Sequence, residues 1–428
     1  MDNQALVAIA IFLVTYAFII TEKIQRTIVA MAGGLLMILT GIITQEEGIH
    51  HIDFNTLGLL IGMMIIVSIT AQTGIFTFVA MRAAKRVKAD PIKILIVLSM
   101  ITAVGSAMLD NVTTVLLMVP ITFSITRQLD INPVPYLICE IICSNVGGAA
   151  TLIGDPPNIM IGSAVPELTF ISFLVNMAPA IAVMLVVTIL YLLLVYRNSL
   201  KTTSQAKEKL MKVNEKAELT NPVLLKKSLF VLAATIIGFG FHGVLHLESA
   251  TVALTGAFVL LLVTGEHYLE EALDKVEWNT IFFFVGLFVL VAGLVHTGVI
   301  GALAEKAIEY TQGDPLNTSL IILWLSGLAS AFVDNIPFVA TMIPMIKEMG
   351  ALGITDLEPL WWSLAFGACL GGNGTIIGAS ANVIVVGMAA RSQHPINFMT
   401  YFKVAFPLTI ITLFMSHVYI YLRYFVWG

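Results

Sequence analysis

Apolar runs of roughly 17–25 residues, the length a helix needs to cross a bilayer, recur along the whole sequence between short polar connections. The pattern predicts membrane-spanning helices over 5–21, 27–44, 56–80, 134–163 and 168–196, and again over 228–245, 250–266, 279–303, 358–389 and 397–424. Two further apolar stretches, 93–127 and 317–347, are interrupted near their middles by Asp110-Asn111 and Asp334-Asn335. A carboxylate facing lipid at that depth is costly. The cheaper arrangement is a re-entrant helical hairpin whose tip packs inside protein and faces water.

A second pattern lies in the numbering, since one set of motifs occurs twice at a constant offset of 224. Leu109-Asp110-Asn111-Val112 returns as Val333-Asp334-Asn335-Ile336. Gly147-Gly148-Ala149-Ala150-Thr151-Leu152-Ile153-Gly154, closed by Asn158, returns as Gly371-Gly372-Asn373-Gly374-Thr375-Ile376-Ile377-Gly378, closed by Asn382. Asn55-Thr56 and Asn279-Thr280, Thr73-Gly74 and Thr297-Gly298, Asp90-Pro91 and Asp314-Pro315, and Pro120 and Pro344 keep the same spacing. A polar, Gly-rich motif duplicated in an apolar chain marks a secondary transporter built from two repeats. Five spans and one re-entrant hairpin per half make an odd number of crossings, so the second half is inverted.

The expected fold is therefore an all-α polytopic membrane protein of two inverted repeats, with discontinuous helices at the site. Residues 1–197 form the first repeat (hairpin 93–127, broken helix 134–163) and 228–428 the second (hairpin 317–347, broken helix 358–389). The Lys- and Glu-rich segment 198–227 reads as a solvated cytoplasmic connector. Loop charge gives the orientation. Lys23 and Arg26, then Arg82, Lys85, Arg86, Lys88 and Lys93, and then eight basic residues within 197–227 fall on one side. Glu46, Glu47, Asp53, Glu167 and Glu248 fall on the other. The positive-inside rule then places both termini outside the cytoplasm; the acidic loop 267–278 departs from it.

Composition agrees with a membrane body. Apolar residues make up 58% and charged residues 11%, against about 25% charged in soluble domains. The first run, Ala5–Ile20, lacks a basic start and a small-residue cleavage site, so it reads as a retained span. A net charge of −5 carries no nucleic-acid signal. Cys139, Cys143 and Cys369 lie inside apolar segments without metal-ligand spacing. No Walker motif or nucleophile elbow is present, so neither an enzyme nor a cofactor is expected.

The chemistry concentrates at the duplicated motifs. Gly147-Gly148 permits the fourth span to unwind, and Gly154-Asp155-Pro156-Pro157 enforces a restart suited to a new half-helix. Unwound carbonyls can hold a cation, and half-helix N-termini attract anions. The candidate solute- and ion-binding set is Asp110, Asn111, Thr113, Thr114, Asn145, Gly147, Gly148, Thr151, Asp155, Asn158, Asp334, Asn335, Gly372, Asn373, Thr375 and Asn382. Asp110, Asn111, Asp334 and Asn335 are the candidate Na+ ligands; Asp110, Asp334 and Glu140 are the candidate proton carriers. The two halves are expected to flank one cavity with two pseudo-symmetric sites. Glu140 is matched by Leu364 and Asp155 by Ala379, so the coupling ion is expected to bind the halves unequally. His242 and His296 read as interfacial, and Trp361-Trp362 as part of an aromatic belt.

At these residues the chain resembles the ArsB/NhaD group of the ion transporter superfamily. Asp334-Asn335-Ile336-Pro337-Phe338 and Gly371-Gly372-Asn373-Gly374-Thr375 are most similar to its P-protein-like branch. The resemblance covers nearly the whole chain. It implies a homodimer in which a hairpin-bearing domain moves as an elevator, within a bacterial inner membrane. Members of the group carry arsenite, exchange Na+ for H+, or move di- and tricarboxylates. Related divalent-anion symporters carry Ser-Asn-Thr at the hairpin tips, where this chain has Asp110-Asn111-Val112-Thr113 and Asp334-Asn335-Ile336-Pro337.

The functional expectation is secondary transport of a small inorganic solute driven by H+ or Na+. Arsenite efflux ranks first by resemblance. Na+/H+ antiport follows and is favoured by the acidic pair. Organic-anion transport ranks third, because no Arg or Lys is expected near the motif centres to bind carboxylates. A passive channel is the alternative of another class, and a separate ATPase subunit stays open.

Overall fold

The computed structural model describes residues 3–21, 23–265 and 267–427. The expected placement of the chain ends falls on residues outside these. The first repeat runs α1 (Asn3–Thr21), α2 (Arg26–Leu39), the short α3 (Gln45–His50), α4 (Phe54–Ala71), α5 (Ile75–Arg86), α6 (Pro91–Met108) and α7 (Asn111–Leu129). It continues with α8 (Val134–Gly148), α9 (Pro156–Ala164), α10 (Phe170–Asn176) and α11 (Ala178–Tyr196), and α12 (Ser204–Met211) follows. The second repeat runs α13 (Pro222–Phe241), α14 (Ser249–Thr264), α15 (His267–Asp274), α16 (Trp278–His296), α17 (Val299–Thr311) and α18 (Pro315–Phe332). It ends with α19 (Asn335–Ala351), α20 (Glu358–Gly371), α21 (Ser380–Arg391) and α22 (Phe398–Tyr421). From α4 to α9 the starting positions recur in α16 to α21 at the offset of 224.

Three predicted spans are divided. The run 56–80 turns at Gly74, φ +75°, and 279–303 turns at Gly298, φ +71°. Glycine enters this left-handed region without penalty, so each span stops and a separate helix leaves. In α5 the departing helix buries Ala80, Met81 and Ala84 while Arg82 and Arg86 are exposed, the habit of an amphipathic surface helix. The run 168–196 splits into α10 and α11, with Pro179 in the first turn of α11.

The connector, largely exposed, carries short helices of its own. Its helix α12 is capped by Thr203, and Lys85 Nζ reaches Glu215 Oε2 at 2.5 Å and the Val213 carbonyl at 2.9 Å. The hydrogen bond from Lys85 holds the Glu215 carboxyl below the usual glutamate range.

The helices pack as two groups. In one, α2 lies along α16 and α4 along α14, with α1 and α13 beside them, so each repeat completes the other. In the other, α6 lies along α8 and α18 along α20, with α7, α9, α11, α19, α21 and α22 around them. Asp90-Pro91 and Asp314-Pro315 start the equivalent helices α6 and α18, each Asp accepting backbone N–H bonds as an N-cap. The crossings of α6 with α8 and α18 with α20 need glycine. A Cβ on Gly147 would lie 2.1 Å from the Ala103 carbonyl oxygen, and one on Gly371 would lie 2.3 Å from that of Gly327.

Between α8 and α9, and between α20 and α21, the chain is not helical. At 1.5 Å per residue α8 spans about 22 Å, short of the ~30 Å hydrocarbon core. Each broken helix therefore places a non-helical backbone segment at membrane depth, tolerated where protein surrounds it.

Candidate ion and solute site

Asp110 and Asp334 sit at the hairpin tips as N-caps of α7 and α19, both buried. Asp110 is satisfied locally, its Oδ1 accepting from the Thr113 N–H at 2.8 Å and its Oδ2 from Thr113 Oγ1 at 2.5 Å. Asp334 Oδ1 accepts from the Ile336 N–H at 3.0 Å, but its Oδ2 turns outward. It accepts from Arg26 Nη1 at 2.5 Å and from Ser380 Oγ at 2.9 Å. Arg26 Nη1 also donates to Ser380 Oγ at 2.6 Å, and its guanidinium lies 4.8 Å from the Phe283 ring centroid.

A chain of amides joins the two halves. Asn111 Nδ2 donates to Asn145 Oδ1 at 3.1 Å and to Asp155 Oδ1 at 3.2 Å. Asn145 Nδ2 donates to Asn373 Oδ1 at 3.0 Å and Asn382 Oδ1 at 2.9 Å. Asn158 and Asn382 staple the non-helical segments: Asn158 Nδ2 donates to the Ala149 and Thr151 carbonyls, and Asn382 Nδ2 to those of Gly372 and Thr375. Thr151 Oγ1 and Thr375 Oγ1 bind the Ala107 and Ala331 carbonyls in the hairpins, again equivalent positions. Asp155 Oδ2, Asn111 Oδ1, Thr114 Oγ1 and Asn335 Nδ2 are buried without a hydrogen-bond partner. Buried polar atoms rarely stay unpaired in the absence of a ligand, ion or water.

The structure thus brings Asn111, Asn145, Asp155, Asn373 and Asn382 into one network. Gly372 serves it through its carbonyl, which accepts from Asn382 Nδ2, while Gly147 and Gly148 permit close backbone approaches to Ala103 and Gly154. Glu140 lies apart, buried, accepting from Thr122 Oγ1 with its Oε2 unpartnered.

Four expectations need correction. Among the described residues the network is buried, and two cavities lie beside it rather than one between two sites. One cavity of about 520 Å³ is lined by His50, His51, Asp53, Phe288, Ala340 and Lys347. Another of about 500 Å³ is lined by Met64, Gln72, Thr113, Leu116, Glu271, Lys275 and Glu277. Phe288 and Met64, and Ala340 and Leu116, differ by 224, so these are inverted counterparts on opposite faces. Secondly, a cationic side chain does reach a motif centre. Arg26, counted as a loop charge, pairs with Asp334, 308 positions away in the chain. Thirdly, Asp334 as an Na+ ligand competes with that guanidinium. Fourthly, Trp361 and Trp362 are packed inside, Trp362 edge-on to Phe173 with its Nε1 donating to Glu358 Oε1 at 3.1 Å. Hydropathy cannot separate a tryptophan packed on helices from one at a lipid interface.

Known proteins share this architecture. A family model described as "Citrate transporter" matches residues 16–367. The chain belongs to this family. An uncharacterized transporter of Mycobacterium tuberculosis is 42% identical over 431 residues, covering 99% of this chain and 100% of the relative. The human P protein is 33% identical over 510 residues, covering 100% of this chain and 61% of that protein. Two solved structures match the fold. The Alcanivorax borkumensis YdaH transporter has a TM-score of 0.60 at 14% identity, covering 100% of this chain and 99% of its own. Neisseria gonorrhoeae MtrF has a TM-score of 0.61 at 12% identity, covering 100% and 96%. This member of the citrate transporter family is accordingly an integral membrane transporter and not an enzyme.

Proposed function

We propose that this member of the citrate transporter family is a secondary active transporter coupled to H+ or Na+, with the cation carried by Asp155, Asp110 and Asn111. One observation carries the reading. Three buried carboxylates, Asp110, Asp155 and Asp334, occupy the centre, and among the described residues their ion pairing comes from Arg26 alone. An uncompensated carboxylate in a low-dielectric interior costs several kcal/mol, so the pair left over calls for cations. Asp155 Oδ2 and Asn111 Oδ1 are the free oxygens such a cation would take.

A carboxylate set that holds H+ or Na+ in turn suffices for Na+/H+ antiport, the first reading. The second is cation-coupled transport of a carboxylate-bearing solute, favoured by Arg26 and by the family description. Arsenite efflux falls behind both, because the centre offers one thiol, Cys369, which donates to Asn158 Oδ1 at 3.3 Å. In either leading reading the hairpin-bearing group moves against the group of α2, α4, α14 and α16, as an elevator within a homodimer of a bacterial inner membrane. The cavities on opposite faces support that alternation.

The test is proton flux in proteoliposomes on separate addition of Na+, Li+, citrate and arsenite. Na+-driven proton release, abolished in Asp155→Asn, supports antiport. Proton-coupled citrate flux supports the second reading. Proton-independent flux of every solute removes the coupling role of the acids.

A further inference from the structure

The ion pair between Arg26 and Asp334 has no counterpart in the first repeat. At the equivalent positions Arg26 is matched by Ala250, Ser380 by Pro156 and Phe283 by Leu59. Asp110, the equivalent of Asp334, is satisfied by its own helix instead. The one-sided contact also joins the two packed groups, since Arg26 starts α2 while Asp334 and Ser380 belong to the hairpin tip and α21. Tyr16 of α1 adds a second link, its hydroxyl donating to the Pro337 carbonyl at 2.5 Å.

Arg26 is not sealed. Its side chain is 23% exposed against 7% for Asp334, and it faces a cavity of about 470 Å³ that Gln25, Thr27, Asn279 and Thr280 also line. A guanidinium offers five donors in a planar fork matched to a carboxylate. Nη1 serves Asp334 and Ser380, which leaves the rest of the fork for an arriving anion. Glu277 lines the same cavity, so an anion gains there only through the guanidinium itself.

The geometry points to Arg26 as the residue that selects an anionic, carboxylate-bearing solute, by exchanging Asp334 for the solute's carboxylate. This deepens the second reading above and rests on it. The solute carboxylate enters from the Arg26 cavity, pairs with the guanidinium and frees Asp334 Oδ2. Asp334 then takes H+ or Na+, so solute binding and cation binding become one event. The same exchange unties the hairpin tip from α2, as the tip must be before the two groups can slide. Arg26 is thus both the specificity residue and the contact whose breaking the solute brings about.

The experiment is equilibrium binding of citrate to the purified full chain in detergent, with inorganic phosphate as the smaller oxyanion. Wild type, Arg26→Gln, Arg26→Lys and Asp334→Asn are compared. Arg26→Gln should weaken citrate binding at least about tenfold, the loss expected for a charge-assisted pair; Arg26→Lys should fall between. Asp334→Asn removes the competitor and should tighten citrate binding, the opposite sign from damage to the fold. Binding of phosphate equal to citrate would replace the carboxylate by a general oxyanion and overturn the stated selectivity. No citrate binding by wild type, or unchanged affinity in Arg26→Gln, overturns the proposal outright. Na+-driven proton release in the same variants separates the readings: if it persists while citrate is ignored, antiport stands and this inference falls.

Discussion

Asn145 Nδ2 donates to Asn382 Oδ1 at 2.9 Å, tying the broken helix of one repeat to that of the other. The equivalent of Asn145 is Cys369, which donates to Asn158 Oδ1 at 3.3 Å. The pseudo-two-fold therefore holds at the level of single bonds, with a weak thiol donor on one side and an amide on the other. Asn145→Ala would leave Asn382 Oδ1 and Asn373 Oδ1 buried without that donor. The expected cost is about 1–3 kcal/mol per stranded group, read as a drop of several degrees in thermal unfolding of the detergent-solubilised protein. Cys369→Ser keeps a donor and should cost less. Equal melting of Asn145→Ala and wild type would mean the amide chain adds nothing to stability.

The glycine crossings make a sharper contrast. A Cβ on Gly147 would overlap the Ala103 backbone, whereas one on Gly387 meets nothing within 4 Å. Gly147→Ala should destabilise by about 1–3 kcal/mol through overpacking. Gly387→Ala, within α21, should be neutral or slightly stabilising because alanine is the better helix former. If both variants melt alike, the close approach of α6 and α8 is wrong.

The recurrence of Asp110-Asn111 and Gly147-Gly148 at offset 224 is legible because polar and glycine positions stand out where polarity is costly. Thr73-Gly74 and Thr297-Gly298 recur as well, yet apolar residues continue past each glycine and hydropathy runs straight through the turn. Arg26 was illegible for another reason. Its partner is on a distant segment, and pairing across 308 positions depends on how the two groups of helices dock. One trace did exist: Arg26 is a charge at a span boundary whose repeat counterpart, Ala250, is apolar. Asp155 against Ala379 and Glu140 against Leu364 are asymmetries of the same kind.

The acids at the centre should not be interchangeable. Asp110→Asn keeps a capping oxygen and changes its charge, so the fold should hold while cation-coupled flux falls at least about tenfold, the rate factor of 1.4 kcal/mol. Asp155→Asn should abolish coupling with little structural change, since Oδ2 has no partner to lose. Asp334→Asn should slow transport while leaving Arg26 without its counter-charge. Initial rates of H+ movement in proteoliposomes, with melting curves as the control for folding, measure all three. Wild-type flux in Asp110→Asn and Asp155→Asn together would take the carboxylates out of the mechanism.

Glu140 tests whether a second acid contributes. It is buried between α8 and α7, and its Oε2 has no partner. Glu140→Leu writes in the residue of the second repeat and removes an unsatisfied oxygen from the interior. Removal of that oxygen relieves about 1–3 kcal/mol, but Thr122 Oγ1 loses its acceptor at a similar cost, so thermal stability should change by no more than about 1 kcal/mol. If the acid carries a proton during transport, the same variant loses the pH dependence of flux. A variant of unchanged stability with an unaltered pH profile would assign Glu140 to neither coupling nor packing need.

The connector offers a pH test outside the membrane. Lys85 holds the Glu215 carboxyl below the ordinary value of 4.5, so this pairing stabilises the docked connector at and above that pH. The contribution should fade as the pH falls through the lowered value and the carboxylate is protonated. Limited proteolysis within 198–221 should accordingly accelerate under acid conditions in wild type. Glu215→Gln should show the faster cleavage already at neutral pH and little further change on acidification. Cleavage that is independent of pH in wild type would mean that Lys85 and Glu215 do not hold the connector against α5.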